Sequence, residues 1–246
     1  MASSSNVTAL ITGAAKRIGR ATALALAGQG IHIVAHYGSS KNDARNLAET
    51  IESLGVRCWV VGADLGRREQ VASLVERAKS MAGSIEILIN NGSIFPKNRL
   101  MEFSGDDLDR NIQINAFAPL VLSREFAARA QQGVIINFLD SRIADFDVEH
   151  AAYHLSKRVL FSLTRMLALE LAPRIRVNAI APGLILPPVG EDQSYLERMR
   201  KTNPLERVGE LDEITETVKF LIANRFVTGQ VVFVDGGRHL KGAYYG

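Results

Sequence analysis

Seven short, β-rich apolar runs alternate with longer stretches whose apolar residues recur at helical spacing, and this alternation constrains the chain more than any other feature. The runs are Thr8–Thr12, Ile31–His36, Arg57–Gly62, Ile85–Asn90, Gly133–Phe138, Arg174–Ala179 and Gln230–Val234. Between them lie helical patterns over Arg17–Ala27, Asp43–Leu54, Glu69–Ala82, Ser104–Ala130, His150–Leu171 and Asp212–Ala223, with Pro119 marking a kink or join in the fourth. Strands separated by helices pair in parallel through crossovers. The pattern predicts an α/β fold with a doubly wound, seven-stranded parallel sheet covered by helices on both faces.

A chain of 246 residues, 47% hydrophobic, can bury a sizeable core as one domain over residues 1–246, and no Pro/Ser-rich linker divides it. The segment Pro182–Gly190 breaks the rhythm after the sixth strand, and its Pro and Gly punctuation predicts a mobile lid or loop, with a substrate loop near residues 183–205. The start, Met1–Asn6, has neither a basic leader nor an apolar signal core, which leads us to expect a cytoplasmic protein. No apolar run approaches the roughly 20 residues of a membrane-spanning helix. The net charge of +3 is spread along the chain, which argues against a nucleic-acid partner. Cys58 is the only cysteine, so the chain can form no internal disulfide, and its apolar surroundings read as core. The histidines His32, His36, His150, His154 and His239 show no metal-ligand spacing with acids or cysteine, so no metal is expected.

After the first strand, Thr12-Gly13-Ala14-Ala15-Lys16-Arg17-Ile18-Gly19 is a small-residue turn opening a helix, whose free N–H groups can hold a pyrophosphate. Gly13 permits a tight turn and Gly19 lets the helix pack closely on the sheet; an ordinary strand-to-helix turn is the plainer alternative. The second strand ends in His36-Tyr37-Gly38-Ser39-Ser40-Lys41, with no acid before Asp43. An acid there would bind a free ribose 2′-hydroxyl and repel a 2′-phosphate. The cations Arg17 and Lys41 and the hydroxyls of Ser39 and Ser40 suit a phosphate, although one of those serines also fits a helix cap. Tyr153 and Lys157, four residues apart, share one face of the helix predicted over His150–Leu171. A nearby lysine favours the phenolate of a tyrosine whose ordinary pKa is about 10, which eases proton exchange.

These markers resemble the short-chain dehydrogenase/reductase family, whose Thr-Gly-x-x-x-Gly-x-Gly motif falls on Thr12–Gly19 with Arg17 in place of its middle glycine. The resemblance covers nearly the whole chain. It implies a single-domain Rossmann fold, NADPH as cofactor, and a homotetramer sharing faces near Phe117–Ala130 and His150–Leu171. It also implies a cofactor site of Gly13, Arg17, Ile18, Gly19, His36, Tyr37, Ser39, Ser40, Asp64, Leu65, Asn91, Gly92, Ser93, Tyr153, Lys157, Pro182 and Gly183. Asn91-Gly92-Ser93 departs from the family's usual Asn-Ala-Gly at that place. The catalytic residues implied are Tyr153, Lys157, Asn115, which in the family supports the lysine through a water, and Asp140, standing where the family usually has a serine.

Asp140 resembles the catalytic aspartate of pteridine reductases, and Ser141 competes for its place if the fifth strand ends one residue later. Phe95, in Asn91–Pro96, resembles the phenylalanine that stacks a pterin in those enzymes, with loop-to-core packing as the plain structural alternative. Ser93, Phe95, Asp140, Tyr153 and Leu184 form the implied substrate set. A small-molecule substrate follows. The expected reaction is NADPH-dependent reduction of a dihydropterin or dihydrofolate-like ring. The alternatives are reduction of a 3-oxoacyl thioester or small ketone, and a non-catalytic NADPH-binding sensor, against which the intact Tyr153 and Lys157 weigh.

Overall fold

In the computed structural model, which describes residues 7–241, each of the seven apolar runs forms a strand. They are β1 (Thr8–Ile11), β2 (His32–Tyr37), β3 (Cys58–Gly62), β4 (Ile87–Asn90), β5 (Gly133–Phe138), β6 (Ile175–Pro182) and β7 (Val231–Val234). All neighbours pair in parallel, in the order β3-β2-β1-β4-β5-β6-β7. The segment Met1–Asn6, read above for a leader, lies outside the described residues. No described helix is long and apolar enough to cross a membrane.

Helices cover both faces, and so the strands are apolar on both. On one face Ile11, Ile33, Ile89 and Ile136 pack with Leu26 of α1 (Arg17–Ala27), Leu47 of α2 (Lys41–Glu52) and Leu221 of α8 (Leu211–Ala223). On the other, Leu10, Val34, Leu88 and Ile135 meet Leu74 of α3 (Arg68–Ala82), Phe126 of α5 (Ala118–Arg129) and Leu167 of α6 (Ala151–Glu170). Each such side chain contributes about 1.5–3 kcal/mol by leaving water. Phe126 also dictates its neighbour: a Cβ at position 133 would stand 2.7 Å from its ring, so β5 begins with a glycine.

Strand order reverses between β1 and β4, because the chain first winds outward through β2 and β3 and then returns to build β4 to β7. The carboxyl ends of β1 and β4 therefore diverge, and a crevice opens between the loops that leave them. Gly13 and Asn91-Gly92 lie at that reversal.

Three expectations need correction. The helix predicted over Ser104–Ala130 is α4 (Gly105–Ile112), a π-helical turn at Gln113–Phe117, and α5. In a continuous α-helix the Asn115 carbonyl would accept from residue 119, but Pro119 has no N–H, and the widened turn begins just before it. β6 runs on to Pro182, because its last four residues pair with β7. The Pro182–Gly190 lid is also anchored at its start: Leu184 and Ile185 are buried, and Gly209 N–H donates to the Leu184 carbonyl at 2.9 Å. Within residues 183–205, α7 (Gln193–Met199) starts from an Asp192 side chain that accepts the Ser194 N–H; a last short helix is α9 (Arg238–Lys241).

Candidate active site

The turn after β1 is cross-linked before any ligand is considered. Thr12 Oγ1 accepts the N–H groups of Asn91 and Gly92, both at 2.9 Å, and Asn91 Nδ2 donates to the carbonyls of Thr12 at 2.8 Å and Gly13 at 3.2 Å. Gly13 takes φ +63°, the left-handed region open to glycine. Any Cβ at Gly19 would stand 2.2 Å from the Gly13 carbonyl oxygen, so only glycine lets α1 start this close to the turn. Arg17, the first residue of α1, is exposed and also left-handed, at φ +55°. Its guanidinium donates to the Pro187 carbonyl at 2.6 Å and so ties the turn to the substrate loop; half-buried Ile18 packs against the core.

His36 is placed differently from the role carried over by resemblance. Its ring is 2% exposed. Nδ1 accepts the Gly13 N–H at 3.1 Å while Nε2 lies 2.9 Å from the Ala63 carbonyl, to which it donates. The ring holds the glycine turn rather than facing a ligand. Burial lowers its pKa to about 4 against the Ala63 bond, with help from Arg77, so it is a neutral prop. The Tyr37 ring covers Gly62, where a Cβ would come within 2.8 Å of it. Ser40 occupies the N-cap of α2 without a side-chain cap bond, and Ser39 is exposed. Asp43, the acid nearest the end of β2, is paired with Lys16 at 3.1 Å.

Asp64 turns its carboxylate to its own loop, accepting the Gly66 N–H at 2.9 Å, and buried Leu65 packs over Gly92. Ser93 is exposed. Gly183 donates its N–H to the Val234 carbonyl, and a Cβ there would stand 2.6 Å from the Asp235 Cα, so Pro182-Gly183 serves the close approach of β6 to the end of β7. Leu184 lines a cleft of about 430 Å³ with Ile185, Asn203, Phe233 and Asp235, but Asp140, Tyr153 and Lys157 do not line it. That cleft is not the reaction centre.

The structure brings Asp140, Tyr153 and Lys157 together. β5 ends at Phe138, so Asp140 rather than Ser141 meets the tyrosine: Tyr153 Oη donates to Asp140 Oδ2 at 2.9 Å. The other carboxylate oxygen accepts the Arg142 N–H at 2.8 Å, which orients it. Lys157 is 3% exposed, donates from Nζ to the Phe138 carbonyl at 2.7 Å, and lies 5.7 Å from the centre of the Tyr153 ring. Burial lowers its pKa to about 8, opposed by Asp140. The expected depression of the phenol is reversed here. Burial first, then the charge and hydrogen bond of Asp140, raise Tyr153 well above its ordinary value. Tyr153 is a neutral phenol, the form that gives up a proton.

Asn115 makes side-chain contacts that the sequence did not foretell. Its side chain accepts the Ile94 N–H at 2.9 Å and donates to the Ile94 carbonyl at 3.1 Å and Ser156 Oγ at 3.0 Å. The amide clamps the Ile94 segment to α6, which places Phe95 near the tyrosine. Phe95 is 41% exposed, stacks on His150 at 3.8 Å between ring centres, and meets the Tyr153 ring edge-on at 4.6 Å.

Two features escaped the sequence. Asp147, His150 and His154 converge, each offering one ligand atom within 4.8 Å of the others, which corrects the expectation that no histidine has metal-ligand spacing. Arg238, on α9 beside the turn at Ser141–Ile143, is a buried guanidinium whose pKa is lowered by burial and by Arg142, against the carboxylates of Asp140 and Asp145. Its signal was an arginine directly after Asp235-Gly236-Gly237.

With this geometry in view, comparison with known proteins is decisive for the family. A family model described as enoyl-(acyl carrier protein) reductase matches residues 13–239. This chain belongs to the short-chain dehydrogenases/reductases. The 3-oxoacyl-acyl-carrier-protein reductase of Staphylococcus epidermidis is 33% identical over 243 residues, covering 96% of this chain and all of that protein. Among solved structures, FolM alternative dihydrofolate reductase 1 from Brucella suis, in complex with NADP, is 36% identical with a TM-score of 0.92, covering 97% of each chain. The same protein from Brucella canis, also with NADP, gives 36% identity and a TM-score of 0.90 over 96% of each chain.

Proposed function

We propose that this chain is an NADPH-dependent reductase that acts on a carbon–nitrogen double bond in a pteridine ring of the dihydropterin or dihydrofolate kind. The observation that carries the reading is the 2.9 Å hydrogen bond from Tyr153 Oη to Asp140, at the position where the family usually has a serine. A serine hydroxyl orients a carbonyl. A carboxyl can deliver a proton, and reduction of a carbon–nitrogen double bond requires one at nitrogen.

The residues fit the cofactor. Gly13 and Gly19 let the turn and α1 close tightly on Asn91, Gly92 and each other. The free N–H groups at the start of α1 would hold a pyrophosphate, and Lys16 pairs with Asp43, the acid nearest the end of β2, so a 2′-phosphate would meet Arg17 without repulsion. Bound NADPH supplies the hydride. The phenol of Tyr153 then passes its proton to Asp140, and Asp140 gives it to the ring nitrogen that gains the electron pair. Lys157 offsets the negative charge left on the pair. Phe95 supplies an apolar face near the phenol, and exposed Ser93 lies two residues before it on the same loop.

The two Brucella proteins, named alternative dihydrofolate reductases and holding NADP, support this reading. A ketone or 3-oxoacyl thioester substrate is the second reading, favoured by the Staphylococcus epidermidis relative. Exposed Leu155, Val159, Met166 and Leu169 on α6, with Phe117 on the turn before α5, support a homotetramer.

Replacing Asp140 with serine separates the two substrates. For a pteridine, steady-state turnover of dihydrobiopterin should fall by about 10²–10⁴-fold, the usual loss for one positioned acid. For a ketone, the variant should keep or improve its rate on an oxoacyl thioester. Unchanged pterin reduction in Asp140→Ser would overturn the mechanism.

A further inference from the structure

We propose that Asp147, His150 and His154 form a binding site for a divalent transition-metal ion, with Zn²⁺ the best fit. The cluster lies beside the reaction centre and has no part in the proton path described above, so the proposal does not rest on the pteridine reading.

Its geometry follows from the start of α6. His150 is the N-cap and His154 lies one turn on, joined by the first helical hydrogen bond, from His154 N–H to the His150 carbonyl at 3.0 Å. Residues four apart share a helix face, so both rings project toward the loop that carries Asp147. Asp147 Oδ1 is 2.9 Å from His150 Nδ1 and Oδ2 is 3.2 Å from His154 Nε2. Zinc ligands at about 2.0–2.1 Å stand about 3.3 Å apart in a tetrahedron, near these two Asp–His spacings. One ligand atom from each of the three residues lies within 4.8 Å of the others, a distance small side-chain shifts close.

Each carboxylate oxygen of Asp147 faces one imidazole nitrogen, and an ion placed among them would take the place of the protons those nitrogens otherwise share with the carboxylate. Both rings are also fixed before any ion arrives. His154 is 2% exposed beside Tyr153 and Phe146, and His150 is stacked under Phe95.

Two imidazoles and one carboxylate select zinc and its neighbours over calcium or magnesium, which prefer oxygen ligands throughout. Three protein ligands leave a fourth position for water. Arg142 Nε, 3.6 Å from the same Oδ2, competes for that oxygen and makes the site weaker than a four-ligand structural zinc site. Because His150 supports Phe95, a bound ion would stiffen the platform beside Tyr153 without touching the phenol.

The test is a Zn²⁺ titration of tag-free, chelator-stripped protein against a chromophoric zinc chelator, followed by Co²⁺ substitution. One equivalent of Zn²⁺ should bind, and Co²⁺ should give the intense visible bands of a four-coordinate site containing nitrogen ligands. Asp147→Asn and His154→Gln should each weaken Zn²⁺ binding at least about tenfold while melting cooperatively without metal. No uptake by the wild type at up to about 100 µM Zn²⁺ would overturn the proposal, as would folded variants that bind as tightly as the wild type. If either variant fails to fold, His150→Gln replaces it. The wild-type Co²⁺ spectrum decides independently, since six-coordinate, oxygen-type bands would also overturn the assignment.

Discussion

The glycine turn at Thr12–Gly19 and the substrate loop at residues 183–205 border the same crevice but are held in different ways. The turn is fixed from three sides: the Asn91 amide and the His36 ring bond its backbone, and its own Thr12 hydroxyl accepts the N–H groups of Asn91 and Gly92. The loop is anchored at its start, where Leu184 and Ile185 are buried, and then passes through exposed Val189 to the short helix α7. The Arg17–Pro187 hydrogen bond joins the two. A fold that serves many substrates with one cofactor has reason to divide its rigidity this way: the pyrophosphate end fixes backbone N–H groups, while the substrate end varies by side chain.

The largest expected effect tests whether chemistry belongs to the rigid side. Tyr153→Phe removes one hydroxyl from the buried centre, and turnover should fall by at least about 10²-fold while NADPH affinity measured by titration stays nearly unchanged. Retention of most activity at saturating substrate and cofactor would show that the proton comes from elsewhere.

The second test concerns the prop under the turn. His36 is neutral when folded down to about pH 4, whereas an unfolded histidine takes up a proton near pH 6.5. The folded pKa is the depressed one, so the contribution of His36 is fully present above pH 6.5 and is lost as pH falls from there toward 4. That loss is on the order of 3 kcal/mol. Chemical denaturation of wild type and His36→Gln at a series of pH values should show the difference between them shrinking as pH falls through this window. A constant difference would contradict a buried neutral imidazole.

The smallest effect lies at the link between the regions. Arg17→Ala should narrow the preference for NADPH over NADH by about tenfold, or 1.4 kcal/mol, chiefly by weakening NADPH. Equal narrowing through tighter NADH binding would move the phosphate contact to Lys41 or the serines.

The elements were legible in the sequence wherever one signal acted alone. Strands buried on both faces read as continuous apolar runs, and all seven appear with ends shifted by at most a few residues. The largest shift, the extension of β6 to Pro182, comes from pairing with β7, which no local pattern encodes. The π-helical turn at Gln113–Phe117 needed the side-chain bonds of Asn115 as well as Pro119, and only the proline could be read. In the site, Asp140, Tyr153 and Lys157 were legible because the sequence places the acid at a strand end and the other two one turn apart on the helix that follows. The structural role of His36 was not legible because its partners are the backbone of Gly13 and Ala63, reached only after β1, β2 and β3 align. The Asp147–His150–His154 cluster was missed because its spacing has meaning only once His150 is known to be the N-cap.

Arg17 gives the turn a cost that its neighbours do not carry. A left-handed backbone is free for glycine but costs other residues roughly 1–2 kcal/mol, and this chain holds an arginine at φ +55° where the family motif has glycine. The position therefore sets conformational ease against reach: glycine would relax the backbone and leave the Pro187 carbonyl, and on the proposed cofactor contact the phosphate as well, without a guanidinium. If Arg17 holds the phosphate as proposed, stability and recognition are opposed at this one residue, and selection for thermal tolerance alone should favour glycine at position 17 at the expense of cofactor affinity.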